Sequence, residues 1–397
     1  MDRPKVIVMG GSLGGLTAAL FLSDLGYAVT VFERAAEPLT GRGAGIVLNP
    51  ATVRYFTRQG RTADVQQMST LTHWVRYLDE QGMVVAERPD SYRFTSYNAI
   101  YRGLLDVFET EHYHLDHMVT GFEQDEQGVT VELAAGRTER CDLLVCADGI
   151  RSTARNILIG DVALEYAGYV AWRGVLHEDD VAPALAEALD DAIIYHILAN
   201  GHVLIYPIPV VDRIPGKRET FINWLWYRNV PQGPDFEALM TDQEGRVRDV
   251  SLGPGTVRPE NIESLHQDGK TMLPALLSDL ILKTNEPFVQ AVMDYHAPQM
   301  AFGRVCLMGD AAFVGRPHAA VGTAKAAEDA WQLSQALEAA EWNVVNGLRA
   351  WEKKQLEVGR LVVQRNQEAG RQLQNGTWPV GSRLAFGLYE TGDSIMS

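Results

Sequence analysis

A short apolar run, Val6-Ile7-Val8-Met9, passes directly into Gly10-Gly11-Ser12-Leu13-Gly14-Gly15 and then into a stretch with Leu16, Ala19 and Leu20 at helical spacing. Strand, tight turn and helix in immediate succession are the opening of a dinucleotide-binding fold. Glycines at such a turn let the backbone pass close to a diphosphate, and the helix N-terminus offers it unpaired N–H groups and partial positive charge. The next strand, Ala28 to Phe32, ends at Glu33, 18 residues after Gly15, where a carboxylate is placed to accept both hydroxyls of an adenosine ribose. The spacing fits an ADP moiety, with Gly10, Ser12, Leu13, Gly15, Glu33 and the adjoining Arg34 as candidate contacts. One position departs from G-x-G-x-x-G: Ser12 stands where the middle glycine should be and adds a hydroxymethyl group at the closest approach.

Two later segments repeat the scheme of an apolar strand running into a turn. Cys141-Asp142-Leu143-Leu144-Val145-Cys146 reads as one buried strand entering Ala147-Asp148-Gly149, and Arg304-Val305-Cys306-Leu307-Met308 enters Gly309-Asp310-Ala311-Ala312, followed by Pro317, Gly322 and Glu328-Asp329 on a helix. Singly, each is compatible with a strand capped by an Asp-Gly turn. Three in this order resemble the class A flavin-dependent monooxygenases, the aromatic hydroxylase family, over nearly the whole chain. The resemblance implies an α/β fold in which an FAD-binding, Rossmann-like domain of the para-hydroxybenzoate hydroxylase type is interleaved with a mainly β substrate domain and followed by a C-terminal helix.

It also implies FAD as cofactor and NADH or NADPH as co-substrate. Asp148 and Gly149 would touch both cofactors, Gly309 and Asp310 would hold the flavin's ribityl and ribose, and Arg102 would stand near the diphosphate. Gly41-Arg42-Gly43-Ala44-Gly45-Ile46 resembles the family's second glycine loop beside the flavin ring, with Gly45 a contact and Arg42 either a phosphate partner or a solvated loop arginine. After Pro317 the family's Gly-Gln-Gly-x-Asn is replaced by Gly322-Thr323-Ala324-Lys325-Ala326, and Phe313 replaces a histidine. These departures, with Arg316-Pro317-His318 and Tyr206-Pro207-Ile208-Pro209, resemble the branch of the family that hydroxylates dihydroxypyridines.

The expected chemistry is electrophilic hydroxylation of a small aromatic or N-heteroaromatic ring by O2, with the flavin carrying electrons from the nicotinamide. The helix starting near Gly322 would turn its N-terminus to the flavin's pyrimidine edge. A ring hydroxyl reacts faster when deprotonated, so an acceptor beside it helps. Candidates are His202, which shares a strand face with Leu204 and Tyr206 by period-2 alternation, and His318 in the loop after Pro317, where the backbone is expected to matter more than the ring. For both, a structural or solvated histidine is the alternative. Tyr206 and Tyr195 are candidates for orienting the ring, or are plain core. Lys325 neighbours the cofactor site or is a surface lysine.

The chain is 397 residues long with 46% hydrophobic residues, enough for two joined domains. FAD-fold signals fall in residues 1–73, 98–165 and 296–345, strand patterns in 74–97 and 166–295, and a C-terminal helical segment in 346–397, its pattern running from about Val344 to Leu373. Only 3 Cys and a formal net charge of −16 argue against a disulfide framework and against nucleic acid as partner. No metal-ligand spacing, leader or membrane-spanning run is evident, so a cytoplasmic protein, a homodimer by resemblance, is expected. Trp224-Leu225-Trp226 is similar to the W-x-W of flavin-dependent halogenases, but Tyr227-Arg228 replace the Ile-Pro that should follow. A flavin-binding protein without turnover is the remaining class.

Overall fold

The structure is a computed structural model and describes residues 4–40, 45–134, 136–211, 218–384 and 386–389. Lys5–Met9 lies between Ala28–Phe32 and Leu143–Cys146, with Val305–Leu307 beyond the latter, all four strands parallel in a six-stranded sheet. Val6, Val8, Val145 and Leu307 are at most 1% exposed, as expected where both faces of a parallel sheet are covered. The Leu13–Asp24 helix packs on this sheet and against the Gly322–Ala339 helix. Parallel order carries the carboxyl ends of all four strands to one edge, so Gly10, Glu33, Asp148 and Gly309 converge there, where ligands bind in open α/β sheets.

The segment from Cys141 to Cys146 is two strands, not one. Cys141 ends Thr138–Cys141 in a separate three-stranded antiparallel sheet. Asp142, whose N–H donates to Lys5 O at 2.8 Å, turns the chain into Leu143–Cys146. Burial was evident from the residue types; the change of sheet depends on pairing between distant segments.

A ten-stranded sheet forms the other layer. Its path runs Ser251–Leu252, Phe288–His296, Glu165–His177, Arg218–Asn229, Gly201–Val211, Ala192–Leu198, Thr70–Leu78, Val84–Ser96 and Gly45–Leu48, with Phe313–Val314 joined to Phe288–His296. Ala192–Leu198 and Gly201–Val211 form a hairpin with Leu198 opposite Gly201. The sheet includes Gly45–Leu48 and begins at Thr70, so it reaches further toward the N-terminus than residue 74. The Val344–Gln374 helix spans both layers. Glu352 Oε1 accepts from Met300 and Ala301 N–H at 2.6 and 2.8 Å, and Trp351 Nε1 donates to Asp329 O at 3.0 Å. Further along, Asn366 Oδ1 accepts from Ala319 N–H at 2.7 Å.

Candidate active site

The Gly10–Gly15 turn is built for close approach. A Cβ on Gly15 would lie 1.8 Å from Gly10 O, and Gly10 holds φ +101° with Ala147 O 2.4 Å from where its Cβ would stand, so neither position admits a side chain. Glu33 is buried, and its carboxylate accepts from Gly11 N–H at 2.8 Å and Ala35 N–H at 2.9 Å, which locks the turn onto the end of the second strand. Each oxygen keeps lone-pair capacity for a hydroxyl. Ser12 caps no helix N–H; its Oγ is 2.7 Å from Tyr97 Oη instead. Tyr113 Oη donates to Gly11 O at 2.9 Å and is 3.1 Å from Tyr101 Oη, a buttress of tyrosines that the sequence motif does not announce. Arg34 is exposed. Arg102 is half-buried in the last turn of Tyr97–Leu105, and Arg42 lies outside the described residues.

A cavity of about 410 Å³ lies between the large sheet and the turns of the second and third motifs at Ile150 and Asp310. At one end stand Ile150, Asp310, Pro317, Gly322, Thr323 and Lys325. Asp310 is exposed where it faces the cavity, yet desolvation by the protein packed around it pushes its carboxyl up to about 6 against the pull of Arg155. Asp148 behaves differently: its oxygens accept from Ser152 Oγ at 2.6 Å and Ala154 N–H at 3.1 Å, so it shapes the turn at Gly149. Arg155 ties the two motifs together, donating to Ile150 O at 2.6 Å and Ala311 O at 3.3 Å. The Gly322–Ala339 helix starts at the cavity with no side-chain cap, leaving the N–H groups of its first turn, through Ala324, without intrahelical partners.

The other end is a wall of the ten-stranded sheet. His202, Leu204 and Tyr206 all line it, while Val203 and Ile205, 1% and 0% exposed, pack on the opposite face. Leu225 and Tyr227 line it by the same alternation, and Trp224 and Trp226 point into the core. His202 stacks on Tyr227 at 4.5 Å between ring centroids, and Gln374 Nε2 is 3.4 Å from its Nδ1. His318 lies 5.3 Å from His202 between centroids, with Nε2 2.7 Å from Tyr169 Oη. Burial pulls the His202 imidazole well below its ordinary pKa, helped by His318; burial and then Arg316 pull His318 down to about 3. Both rings are neutral at physiological pH. Tyr206 stacks on Phe94 at 4.3 Å, and burial raises its phenol to about 12.

Comparison with known proteins decides what this constellation belongs to. The chain is 37% identical to the 2,6-dihydroxypyridine 3-monooxygenase of Paenarthrobacter nicotinovorans over 97% of its length and 96% of the relative's. This chain belongs to the FAD-dependent monooxygenases. Family models described as FAD binding domain-like and FAD binding domain match residues 166–294 and 282–366, and a pyridine nucleotide-disulphide oxidoreductase model matches 5–60. The structure of 2,6-dihydroxypyridine-3-hydroxylase from Arthrobacter nicotinovorans superposes with TM-score 0.92 at 36% identity, covering 100% of both chains. Salicylate hydroxylase shares the fold, with TM-score 0.72 at 21% identity over 95% of this chain and 90% of that one.

The monooxygenase takes FAD as cofactor and NAD(P)H as co-substrate, and the residues present fit the flavin. Asp310 offers a cavity-facing carboxylate with no side-chain partner among the described residues, Gly322 has nothing within 4 Å of where its Cβ would stand, and the uncapped helix supplies donors. Glu33, Asp310, Gly322 and Thr323 would hold it, and when bound it supplies the redox chemistry that activates O2. One expectation needs correction, and one pair of alternatives is decided. His318 presents its ring, not merely its backbone, because the short helical turn Pro317–Ala319 aims it at Tyr169. Lys325 is buried, paired with Asp329 and 4.9 Å from the centre of the Phe313 ring, so it is no surface lysine. Arg173 also lines the cavity, and Tyr169 and Gln374 support its two histidines from a strand and a helix end; these roles depend on pairing and packing between distant segments.

Proposed function

We propose that this monooxygenase hydroxylates 2,6-dihydroxypyridine to 2,3,6-trihydroxypyridine. The observation that carries the reading is a pair of neutral imidazoles, His202 and His318, in an aromatic-walled cavity that is continuous with the flavin-binding edge; the named relative adds the ring. A ring C–H becomes C–OH with one oxygen of O2, the other oxygen leaves as water, and NAD(P)H supplies the two electrons. His202 accepts the proton of a ring hydroxyl, which makes the ring carbon more electron-rich. The Gln374 amide sets the tautomer: with its carbonyl turned to Nδ1–H, the Oε1 that otherwise lacks a partner is satisfied and Nε2 keeps its lone pair for the cavity. His318, fixed by Tyr169, and Tyr206 orient the ring.

The FAD-binding portion comprises residues 1–73, 98–165 and 296–345, less Gly45–Leu48 and the strand from Thr70, which join the large sheet, and the substrate portion comprises 74–97 and 166–295. A homodimer in the cytoplasm is part of the same reading, supported by the exposed apolar tip Met83, Val84 and Val85. The test is direct. The purified protein should be yellow, oxidise NADH slowly alone and much faster with 2,6-dihydroxypyridine, and give a product heavier by one oxygen atom that comes from O2. Stimulation by another phenol or hydroxypyridine and not by this one moves the substrate; no stimulation across a panel of such rings overturns the reading.

A further inference from the structure

Three cationic side chains line the cavity: Arg173, Arg316 and Lys325. Two of them are neutralised. Arg316 Nε donates to Asp294 Oδ2 at 2.9 Å, with the carboxylate 4% exposed, and Lys325 is paired with the fully buried Asp329. Arg173 differs, because among the described residues it has no carboxylate partner. Its Nη1 donates to the amide oxygen of Gln290 at 2.8 Å and its Nη2 to Gly45 O at 3.4 Å; its Nε is buried with no acceptor at all. A guanidinium carries five N–H donors, so Arg173 retains both an uncompensated charge and unused donors.

Its surroundings strengthen the effect. Arg173 stands 5.7 Å from the centre of the Phe288 ring, and Tyr206 and Tyr227 both feel its field, which opposes the rise that burial imposes on their phenols. The other ionisable groups facing the cavity leave the charge in place. His202 and His318 are neutral, Tyr195, Tyr206 and Tyr227 are protonated because burial raises them, and Asp310 stands among the residues that hold the flavin. An unpaired, half-buried cation held by two neutral acceptors beside aromatic and aliphatic walls attracts an anion.

We infer that Arg173 is a binding residue for a ring oxyanion and that the pocket holds its substrate as the anion left once the ring hydroxyl has given up its proton, with Arg173 holding the anionic oxygen. The inference rests on the reading of this cavity as the site of ring hydroxylation, and it adds to it the charge state of the ligand. It also divides the labour: the imidazoles handle the proton, and Arg173 stabilises what remains after the proton has gone.

The holoenzyme can be titrated with 4-nitrophenol, whose phenol and phenolate absorb differently, and with 2,6-dihydroxypyridine, each set against its methyl ether. In wild type the bound nitrophenol should ionise at least about 1 pH unit below the free compound, as for an acid beside a fixed cation. Each methyl ether should bind about tenfold or more weakly than its parent, as expected if one charge-assisted hydrogen bond is lost. Arg173→Met should abolish the shift and level the affinities of parent and ether while flavin content stays unchanged, and Arg173→Lys should restore part of both. An unshifted nitrophenol in wild type, failure of both rings to bind, or equal weakening of parent and ether in Arg173→Met would overturn the inference. A shifted nitrophenol together with no turnover of 2,6-dihydroxypyridine would sink the substrate assignment and leave the oxyanion site standing.

Discussion

Single side chains at this site are set by what they can no longer do in water. Asp310 faces the open cavity, but the protein around it removes part of its hydration and raises its carboxyl to about 6, and a flavin hydroxyl donating to it would favour the charged form. FAD affinity should therefore hold steady above pH 6 and fall about tenfold per unit below it, a slope that Asp310→Asn should lack; fluorescence titration of apoprotein with FAD reads both. Glu33→Ala and Asp310→Ala should each weaken FAD about ten- to a hundredfold, the worth of a hydrogen bond to a charged group. Ser12→Gly should cost FAD binding little, because the Ser12 hydroxyl is spent on Tyr97. For the imidazoles, His202→Ala is expected to slow hydroxylation about 10²-fold with FAD retained. His318→Ala should cost less, because its Nε2 is already engaged with Tyr169 Oη at 2.7 Å. Single-turnover rates that rank the two the other way would move the base to His318.

At the scale of elements, two helices do most of the positioning. In Gly322–Ala339, Lys325 and Asp329 are one turn apart and both buried, and Asp329 Oδ2 also accepts from Gly309 N–H at 3.0 Å. The pair thus fixes the third motif turn to the helix whose N-terminus faces the cavity. Lys325→Met strands a buried carboxylate and should cost about 3–5 kcal/mol in denaturant unfolding. The double variant Lys325→Met/Asp329→Leu should recover much of that loss. In Val344–Gln374, Gly370 lets the helix settle onto the pocket: a Cβ there would lie 2.8 Å from His318 Cδ2 and Tyr169 Oη and 3.0 Å from Arg316 Cδ. Gly370→Ala improves helix propensity by about 1 kcal/mol, yet it should impair ring binding while FAD stays bound, because it displaces the His318–Tyr169 pair.

For the whole molecule, the two buried neutral histidines predict an acid-sensitive fold. Both pKa values are lower in the folded state, so below the ordinary histidine pKa the unfolded chain binds protons that the native state refuses, and stability falls as pH drops. The window for His318 runs from about 6.5 down to about 3, with a slope near 1.4 kcal/mol per pH unit for each such group. Equilibrium unfolding of His318→Gln should show a shallower decline than wild type between pH 6 and 4. An unchanged slope would mean that the ring gains water or a counter-charge as the pH falls.

What the sequence determined by itself is whatever depends on neighbours along the chain. The strand Ala28–Phe32, the start of a helix at Gly322 and the helix from Val344 are legible because apolar period and glycine chemistry act within a few residues. The diphosphate turn is legible for the same reason, and strand alternation put His202 and Tyr206 on one face. Tertiary structure decided which face meets a cavity and which charges remain unpaired there. Arg173 lies mid-strand and reads as any strand arginine; only the pairing of Glu165–His177 between Phe288–His296 and Arg218–Asn229 brings it beside Gln290 and leaves it without a carboxylate among the described residues. Tyr169 and Gln374 meet the histidines through contacts 149 and 172 residues apart, and the separation of Cys141 from Cys146 into two sheets is likewise a matter of partners. Local patterns reveal elements because their physics is short-ranged, whereas the charge balance of a cavity is a sum over segments that meet only when the chain has folded.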